Sequence, residues 1–270
     1  MRTGNWIPPD VDTNTPSIAR IYDYWLGGGH NFEIDRATAD KLEGNMAGVR
    51  QSVRLNRAFL ARAVRYMASQ GVKQFIDIGS GIPTVGNVHE IAQQVNPEAR
   101  VVYVEREPVA VAHSDLLLAG DEQSAMVHAD MRDVEGVLGS PQVRRLIDFD
   151  EPVGLLFLLM LHWLEDSDDP AGLVRAYQEP LVPGSMMAVS HLTDDARREH
   201  ITEMTGMMVE HRAGEPIPRS HDEIVALFGE LELVEPGLVG CGNWRPAGPG
   251  DVTEDSQWNQ YLYAGVARKP

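Results

Sequence analysis

Three carboxylates are the residues in this chain best placed for chemistry, because each sits within or just past a short apolar run. Asp77 lies in Gln74-Phe75-Ile76-Asp77-Ile78, Glu105 ends Arg100-Val101-Val102-Tyr103-Val104-Glu105, and Asp130 follows Ala125-Met126-Val127-His128-Ala129. After Asp77 comes Gly79-Ser80-Gly81, whose glycines let backbone approach a ligand without side-chain obstruction. A carboxylate at the end of a second strand can accept hydrogen bonds from both hydroxyls of a ribose. One beyond a third strand can accept from an exocyclic ring amine, while the next backbone N–H, that of Met131, donates to a ring nitrogen. The set predicts a nucleotide-type cofactor at the carboxyl edge of a parallel sheet.

Two cofactor classes compete for that pattern. A dinucleotide site wants a third glycine three residues after Gly81, so that the helix packs close and its N-terminus receives a pyrophosphate; Thr84 stands there instead. Glu105 serves NAD and S-adenosylmethionine equally. Asp130 favours the latter, since nothing in the arrangement cradles a phosphate. A NAD-dependent oxidoreductase is therefore the second enzymatic reading. A binding protein without catalysis stays open too, because no single catalytic base stands out.

The elements that must position these acids follow from periodicity. Thr15-Pro16 opens a first helix carrying Ile18, Ile21, Tyr22, Trp25 and Leu26, which Gly27-Gly28-Gly29 ends. Helices over about 35–46 and 49–70 complete an N-terminal helical segment. From Lys73 strands and helices alternate: strands at 74–78, 100–105, 125–129, 153–159 and 185–190, with helices at about 85–95, 107–119, 133–138, 141–146 and 170–180. A helix over 193–211, a capping box at Ser220 and Glu223, and strands near 231–235 and 260–267 close the chain. Pro236 to Pro246 reads as a loop-rich link and Pro246 to Asp251 as a flexible one. Residues 1–72 are an arm and helical cap, and 73–270 a core with a helical insertion at about 193–219. Residues 1–14 read as an irregular arm.

Composition limits the partners. Lys and Arg number 23 against 40 Asp and Glu, a net charge of −17, so the overall field repels nucleic-acid backbones and anionic membranes. The apolar run Val153–Leu164 is too short to span a bilayer, and the N-terminus has no apolar core of a signal peptide. Cys241 is the only cysteine, which fits a reducing, cytoplasmic setting and excludes an internal disulfide or a cysteine zinc site. No metal site is expected, and oligomeric state is not readable.

The acids after successive strands and the closing order of helix, strand and final strand resemble a class I S-adenosylmethionine-dependent methyltransferase. The likeness narrows with Asn14-Thr15-Pro16-Ser17-Ile18-Ala19-Arg20-Ile21-Tyr22-Asp23-Tyr24-Trp25-Leu26-Gly27-Gly28-Gly29-His30-Asn31-Phe32, with Arg54-Leu55-Asn56-Arg57-Ala58-Phe59-Leu60, and with Phe75 to Asn87, Pro236-Gly237-Leu238-Val239 and Trp244-Arg245-Pro246. These stretches, spread over nearly the whole chain, are similar to a bacterial family of S-adenosylmethionine methyltransferases long catalogued as a domain of unknown function. The resemblance implies an α/β fold, a doubly wound, seven-stranded Rossmann-like sheet under an N-terminal helical cap, and S-adenosyl-L-methionine as cofactor. It implies no substrate. Pro83-Thr84 departs from the glycine-rich sequence many methyltransferases keep there.

On this reading Gly79 and Gly81, with Ser80, clear room for the methionyl part of the cofactor, and Asp77 attracts its ammonium. Glu105 takes the ribose with Arg106 beside it, and Asp130 with Met131 takes the adenine. Tyr22, Tyr24 and the Gly27–Asn31 stretch form either a lid over the cofactor, from which His30 or Asn31 reaches inward, or an ordinary helix end and surface loop. Arg54, assisted by Asn56 or Arg57, is the candidate for the cofactor carboxylate. His162, after the fourth strand, is the candidate general base, with His191 as a similar case; either also reads as a buried wall residue. A small molecule is the expected methyl acceptor.

Overall fold

The computed structural model describes residues 11–84, 86–246 and 257–270. Most of the expected arm and of the flexible link, residues 1–10 and 247–251, lies outside the described residues. Three helices come first: α1 (Ile18–Leu26), α2 (Glu33–Asn45) and α3 (Val49–Ser69). Gly27 ends α1 at φ 87°, a left-handed cap that glycine adopts without strain. The alternating part runs β1 (Gln74–Ile78), α4 (Val88–Val95), β2 (Arg100–Glu105), α5 (Pro108–Leu117), β3 (Ser124–His128), α6 (Val134–Leu138), α7 (Pro141–Leu146), β4 (Val153–Leu158), α8 (Pro170–Gln178) and β5 (Met186–Leu192). It is completed by α9 (Arg198–Glu210), α10 (His221–Ala226), β6 (Glu232–Leu233), β7 (Val239–Gly240) and β8 (Leu262–Arg268).

Among the described residues the sheet has eight strands, ordered β3-β2-β1-β4-β5-β8-β6, with β7 pairing to β8 off that path. Strands β1 to β5 pair in parallel and β8 runs antiparallel to β5. The seven expected strands are thus present, and the eighth is the two-residue ladder of Val239 and Gly240 against Ala264 and Tyr263, inside the stretch expected as a loop. Two residues are too few for a period of two to show. A second difference follows from β8 as well: His191 and Leu192 pair with Tyr263 and Leu262, so β5 stays extended past Ser190 and α9 begins only at Arg198.

Alternation along β1 decides which side chains face which layer. Phe75 joins the core shared with α1, α2 and α3, whereas Ile76 and Ile78 join the opposite core with Leu155, Phe157 and Tyr177. Asp77 therefore faces the layer that holds the N-terminal helices. Those helices and the sheet share one apolar cluster, in which Ile21, Leu42 and Phe59 pack with Val101, Leu156 and Val266.

A buried ion network fixes the helical cap to the sheet. Arg20 donates to Asp35 Oδ2 at 2.7 Å, to Glu107 Oε1 at 2.9 Å and to the Thr15 carbonyl at 2.7 Å. Glu107 caps α5, so Arg20 joins α1, α2 and the loop after β2 in one contact. Asp35 also receives the N–H groups of Ser17 and Phe32, and it is wholly buried. Replacing Arg20 by Ala strands that carboxylate without its cation, and the expected loss is about 3–5 kcal/mol of folding stability. Urea unfolding checks it: a midpoint no lower than that of the exposed control Arg65→Ala contradicts this account.

Candidate functional site

The backbone sets the site before any side chain does. Past β1, Gly79 and Gly81 adopt φ 71° and 68°, the left-handed region that favours glycine. The Gly79 and Ser80 N–H groups both donate to the Val104 carbonyl, at 2.8 and 3.2 Å, which ties this turn to the end of β2. A Cβ on Gly79 would fall 2.2 Å from the Met160 sulfur, so packing demands glycine there. At Gly81 nothing lies within 4 Å of that position, and the backbone faces open space.

Glu105 closes the arrangement from β2. Its carboxylate accepts the N–H of Gly81 at 2.9 Å, of Arg106 at 2.7 Å and of Glu107 at 2.8 Å. Burial pushes its carboxyl up, and those three donors pull the other way. Three bonds leave a carboxylate with further acceptor capacity, enough for a hydroxyl.

Asp77 lies beneath the turn and makes no side-chain hydrogen bond among the described residues. Burial lifts its carboxyl to about 7, against the pull of Arg57, and the Glu105 charge adds to the rise. Asp77, Arg57, Ser80, His89, Tyr103 and Ser114 are among the residues lining a narrow cavity of about 10 Å³ that Gly81 also borders. The hydroxyls of Ser80 and Ser114 are buried there without a hydrogen-bond partner. Tyr103 OH accepts the His89 N–H at 2.9 Å and meets the ring Nδ1 at 2.6 Å. The Arg57 guanidinium donates to the Gly86 carbonyl at 2.7 Å. An acid, a guanidinium and two orphaned hydroxyls facing one cavity suit a ligand that carries both an ammonium and a carboxylate, as the methionyl end of S-adenosylmethionine does.

Asp130 is held differently. It takes the Arg132 N–H at 2.9 Å, Nε at 3.0 Å and Nη2 at 2.7 Å, with Arg106 Nη1 at 3.3 Å. The Arg132 hydrogen bonds hold its carboxyl well below the usual range. Beside it, Met131 accepts from Tyr177 OH at 2.8 Å, and among the described residues its N–H makes no hydrogen bond.

Of the expected site residues only Asp77, Ser80 and Gly81 line the Asp77 cavity; Gly79, Glu105, Arg106, Asp130 and Met131 lie outside its lining, as do Arg54, Tyr22 and His162. Arg54 is exposed on α3, and Arg57, three residues on, is the one that reaches the cavity. Tyr22 donates to the Val53 carbonyl at 3.2 Å and accepts from Asn56 Nδ2 at 3.0 Å, and burial pushes its phenol to about 12. His162 is buried with Nδ1 unpartnered, its ring 5.4 Å from that of His191. Burial holds its imidazole well below its ordinary value, and His191 and Arg219 press the same way. Arg219 also donates to the Leu161 and Leu164 carbonyls and to Asp166, each at 3.0 Å, so it clamps the turn that carries His162. His191 is itself lowered to about 3 by burial.

The Gly27–Asn31 stretch is tied down at both ends. Asp23 accepts the His30 N–H at 2.9 Å and Asn31 Nδ2 at 2.8 Å, and the His30 ring lies 3.7 Å from that of His113 on α5. Nearby, Phe32 packs with Val11 against Ile82, Val109 and Ala110, which roofs the turn after β1. Sequence reasoning passed over Tyr103, His89 and Ser114. Tyr103 carried a signal, since period two puts it on the same face as Glu105. Among the described residues no three His, Cys, Asp or Glu side chains gather to hold a metal, and no helix is long and apolar enough to cross a membrane.

Comparison with known proteins identifies the family. The S-adenosyl methyltransferase family matches residues 4–270. A Thermobifida fusca YX crystal structure, provisionally described as a methyltransferase, is 43% identical, with 98% of this chain and 99% of that one covered at a TM-score of 0.91. A DUF574 family protein from Streptomyces avermitilis MA-4680 is 37% identical over 96% of this chain and 99% of its own, at a TM-score of 0.90. The search of curated proteins gave no match. With a sheet of methyltransferase order and a match along nearly its whole length, the chain belongs to the S-adenosyl methyltransferase family, whose cofactor is S-adenosylmethionine.

Proposed function

We propose that this protein transfers the methyl group of S-adenosylmethionine to a small-molecule acceptor. The observation that carries the reading is the junction of Gly81 and Glu105 above a buried Asp77, next to a cavity in which the Ser80 and Ser114 hydroxyls are unsatisfied. The cofactor, when bound, supplies an electrophilic methyl on a sulfonium. The chain's own residues hold and orient it. Asp77 takes the ammonium and Arg57 the carboxylate, the role first expected of Arg54. Gly79, Ser80 and Gly81 form the floor under the methionyl chain, Glu105 takes the ribose, and Asp130 with the Met131 N–H takes the adenine while Arg106 and Arg132 fix Asp130. Tyr22 acts from behind, by bracing Asn56. Residues 1–72 serve as the cap over 73–270.

His162 enters this scheme as a neutral imidazole. It can accept a hydrogen bond from a nucleophile, but burial, His191 and Arg219 oppose the imidazolium, so it is a weak base. An acceptor whose nucleophile is already deprotonated suits it. A small acceptor is supported by the roof that Phe32 and Val11 form, and by a net charge of −17 that repels nucleic acids. A reducing, cytoplasmic setting fits the lone buried thiol of Cys241.

Titration calorimetry on the full chain tests the cofactor assignment: S-adenosylhomocysteine binds and NADH does not. Binding of NADH alone supports the oxidoreductase instead. With methyl-labelled cofactor and a bacterial extract, label is expected in the acid-soluble fraction. Label confined to precipitated protein or nucleic acid defeats the small-molecule reading, and no transfer despite tight binding favours a non-catalytic role.

Two further outcomes follow from the carboxylates. A cation on Asp77 favours the ionised form, so cofactor affinity rises as pH climbs toward the carboxyl's value of about 7 and levels off above it. In Asp77→Asn that slope disappears; an unaltered slope assigns the proton elsewhere. Asp130→Ala weakens binding by about 1–3 kcal/mol if its carboxylate pairs with adenine. Unchanged affinity removes Asp130 from the site.

A further inference from the structure

The turn after β4 holds one bulky residue in an unfavourable conformation. Leu159 sits at φ 55°, a left-handed region that a leucine seldom occupies, and such residues persist only where their surroundings impose them. Here three hydrogen bonds do so. The Leu159 N–H donates to the Ser190 carbonyl at 3.0 Å and to Ser190 Oγ at 2.9 Å, while its carbonyl accepts from Trp163 Nε1 at 2.9 Å. Bent in this way, the chain folds the next side chain back over the neighbouring strand end. β1 and β4 are adjacent in the sheet, and Met160 comes to rest on Gly79. The fit is close enough that a Cβ on Gly79 would lie 2.2 Å from both the Met160 sulfur and its methyl carbon.

A strained backbone, a triple hydrogen-bond brace and an obligatory glycine thus converge on the placement of one thioether. Packing alone does not require this, since a leucine or isoleucine covers a glycine equally well. Thioether sulfur differs from them in being soft and polarisable, and it differs from a carboxylate in carrying no charge to attract ordinary cations or protons. Those properties suit a neighbour that is itself a sulfur centre and whose charge changes during the reaction.

We propose that the Met160 thioether faces the sulfonium of S-adenosylmethionine and distinguishes it from neutral S-adenosylhomocysteine. The inference rests on the reading of Gly79 to Gly81 as the seat of the methionyl chain. Sulfur lone pairs on Met160 stabilise the adjacent cation while the methyl donor is bound. Once the methyl has left, the partner sulfur is neutral and that attraction is gone. The spent cofactor is held less tightly than the donor and exchanges for it.

The test is titration calorimetry of the full-length wild type and Met160→Leu, a swap that keeps the volume and removes the sulfur. S-adenosylmethionine affinity is expected to fall by about 3- to 10-fold, with S-adenosylhomocysteine affinity unchanged. Parallel changes for both ligands, or no change for either, overturn the proposal while leaving the cofactor reading intact. Wild type that binds neither ligand fails the cofactor reading and the proposal with it. A measurement on wild type guards against a variant that folds poorly. With methyl-¹³C methionine labelling, the Met160 signal is expected to move further with S-adenosylmethionine than with S-adenosylhomocysteine, and equal displacement contradicts it.

Discussion

The carboxylate of Glu105 is the constraint around which the site is arranged. A charged group buried at the end of β2 must find donors, and it finds them in the backbone of two different loops. The N–H groups of Arg106 and Glu107 are local to it. Gly81 is not: it belongs to the turn after β1, so the bond fixes how that turn runs across the sheet edge. The turn can follow this path only because Gly79 and Gly81 tolerate positive φ. Asp77 is then shut beneath it, away from water. Its raised carboxyl value is a consequence of the same closure, for desolvation is the leading cause and the Glu105 charge adds to it. One interaction therefore shapes the loop that closes over Asp77 and, through burial, contributes to the raised proton affinity of that acid.

The helical cap reaches the same region by a second charged contact. Arg20 bonds to Glu107, two residues after Glu105, so the element that satisfies Glu105 also anchors α1 and α2. A purely apolar attachment would slide more readily than this one, because guanidinium bonds have fixed directions. A polar relay makes a further tie deeper in the core. Leu159 N–H reaches Ser190 Oγ, Ser190 Oγ reaches Asn56 Oδ1 at 2.6 Å, and Asn56 Nδ2 reaches Tyr22 OH. The relay crosses from the ends of β4 and β5 through α3 to α1, and every polar group along it has a partner. Half-satisfied networks in a core are costly, whereas this one stiffens the join between cap and sheet.

The sheet was the legible part of the sequence. Strands β1 and β2 have the bounds their apolar runs indicate, since a buried parallel strand leaves a continuous hydrophobic signature. The two-residue β7 left no such signature, and β5 runs past Ser190 to Leu192 because it pairs there with β8. For the site, the acids and glycines around the first turn could be read because strand ends and small residues mark themselves. Side chains from helices were harder. A residue at Arg54 or Arg57 differs by less than one helical turn in sequence and by the whole difference between solvent and cavity in space. Nothing in the pattern of α3 chose between them, because both are charged residues on a helix whose other faces were already assigned to packing.

His162 shows a limit of another kind. Its type and place after β4 suggest a base, yet basicity is a property of surroundings: Arg219 and His191 come from segments far along the chain. Arg219 must be there, since its guanidinium holds the Leu161 and Leu164 carbonyls and thereby the whole turn. Burial first, and then His191 and this same Arg219, deny His162 a positive charge. A proton-accepting histidine and an arginine-clamped turn are in conflict at this position, and the fold has kept the clamp. On the proposed reading, methyl transfer at this edge of the sheet depends on placing a nucleophile already able to attack more than on removing its proton.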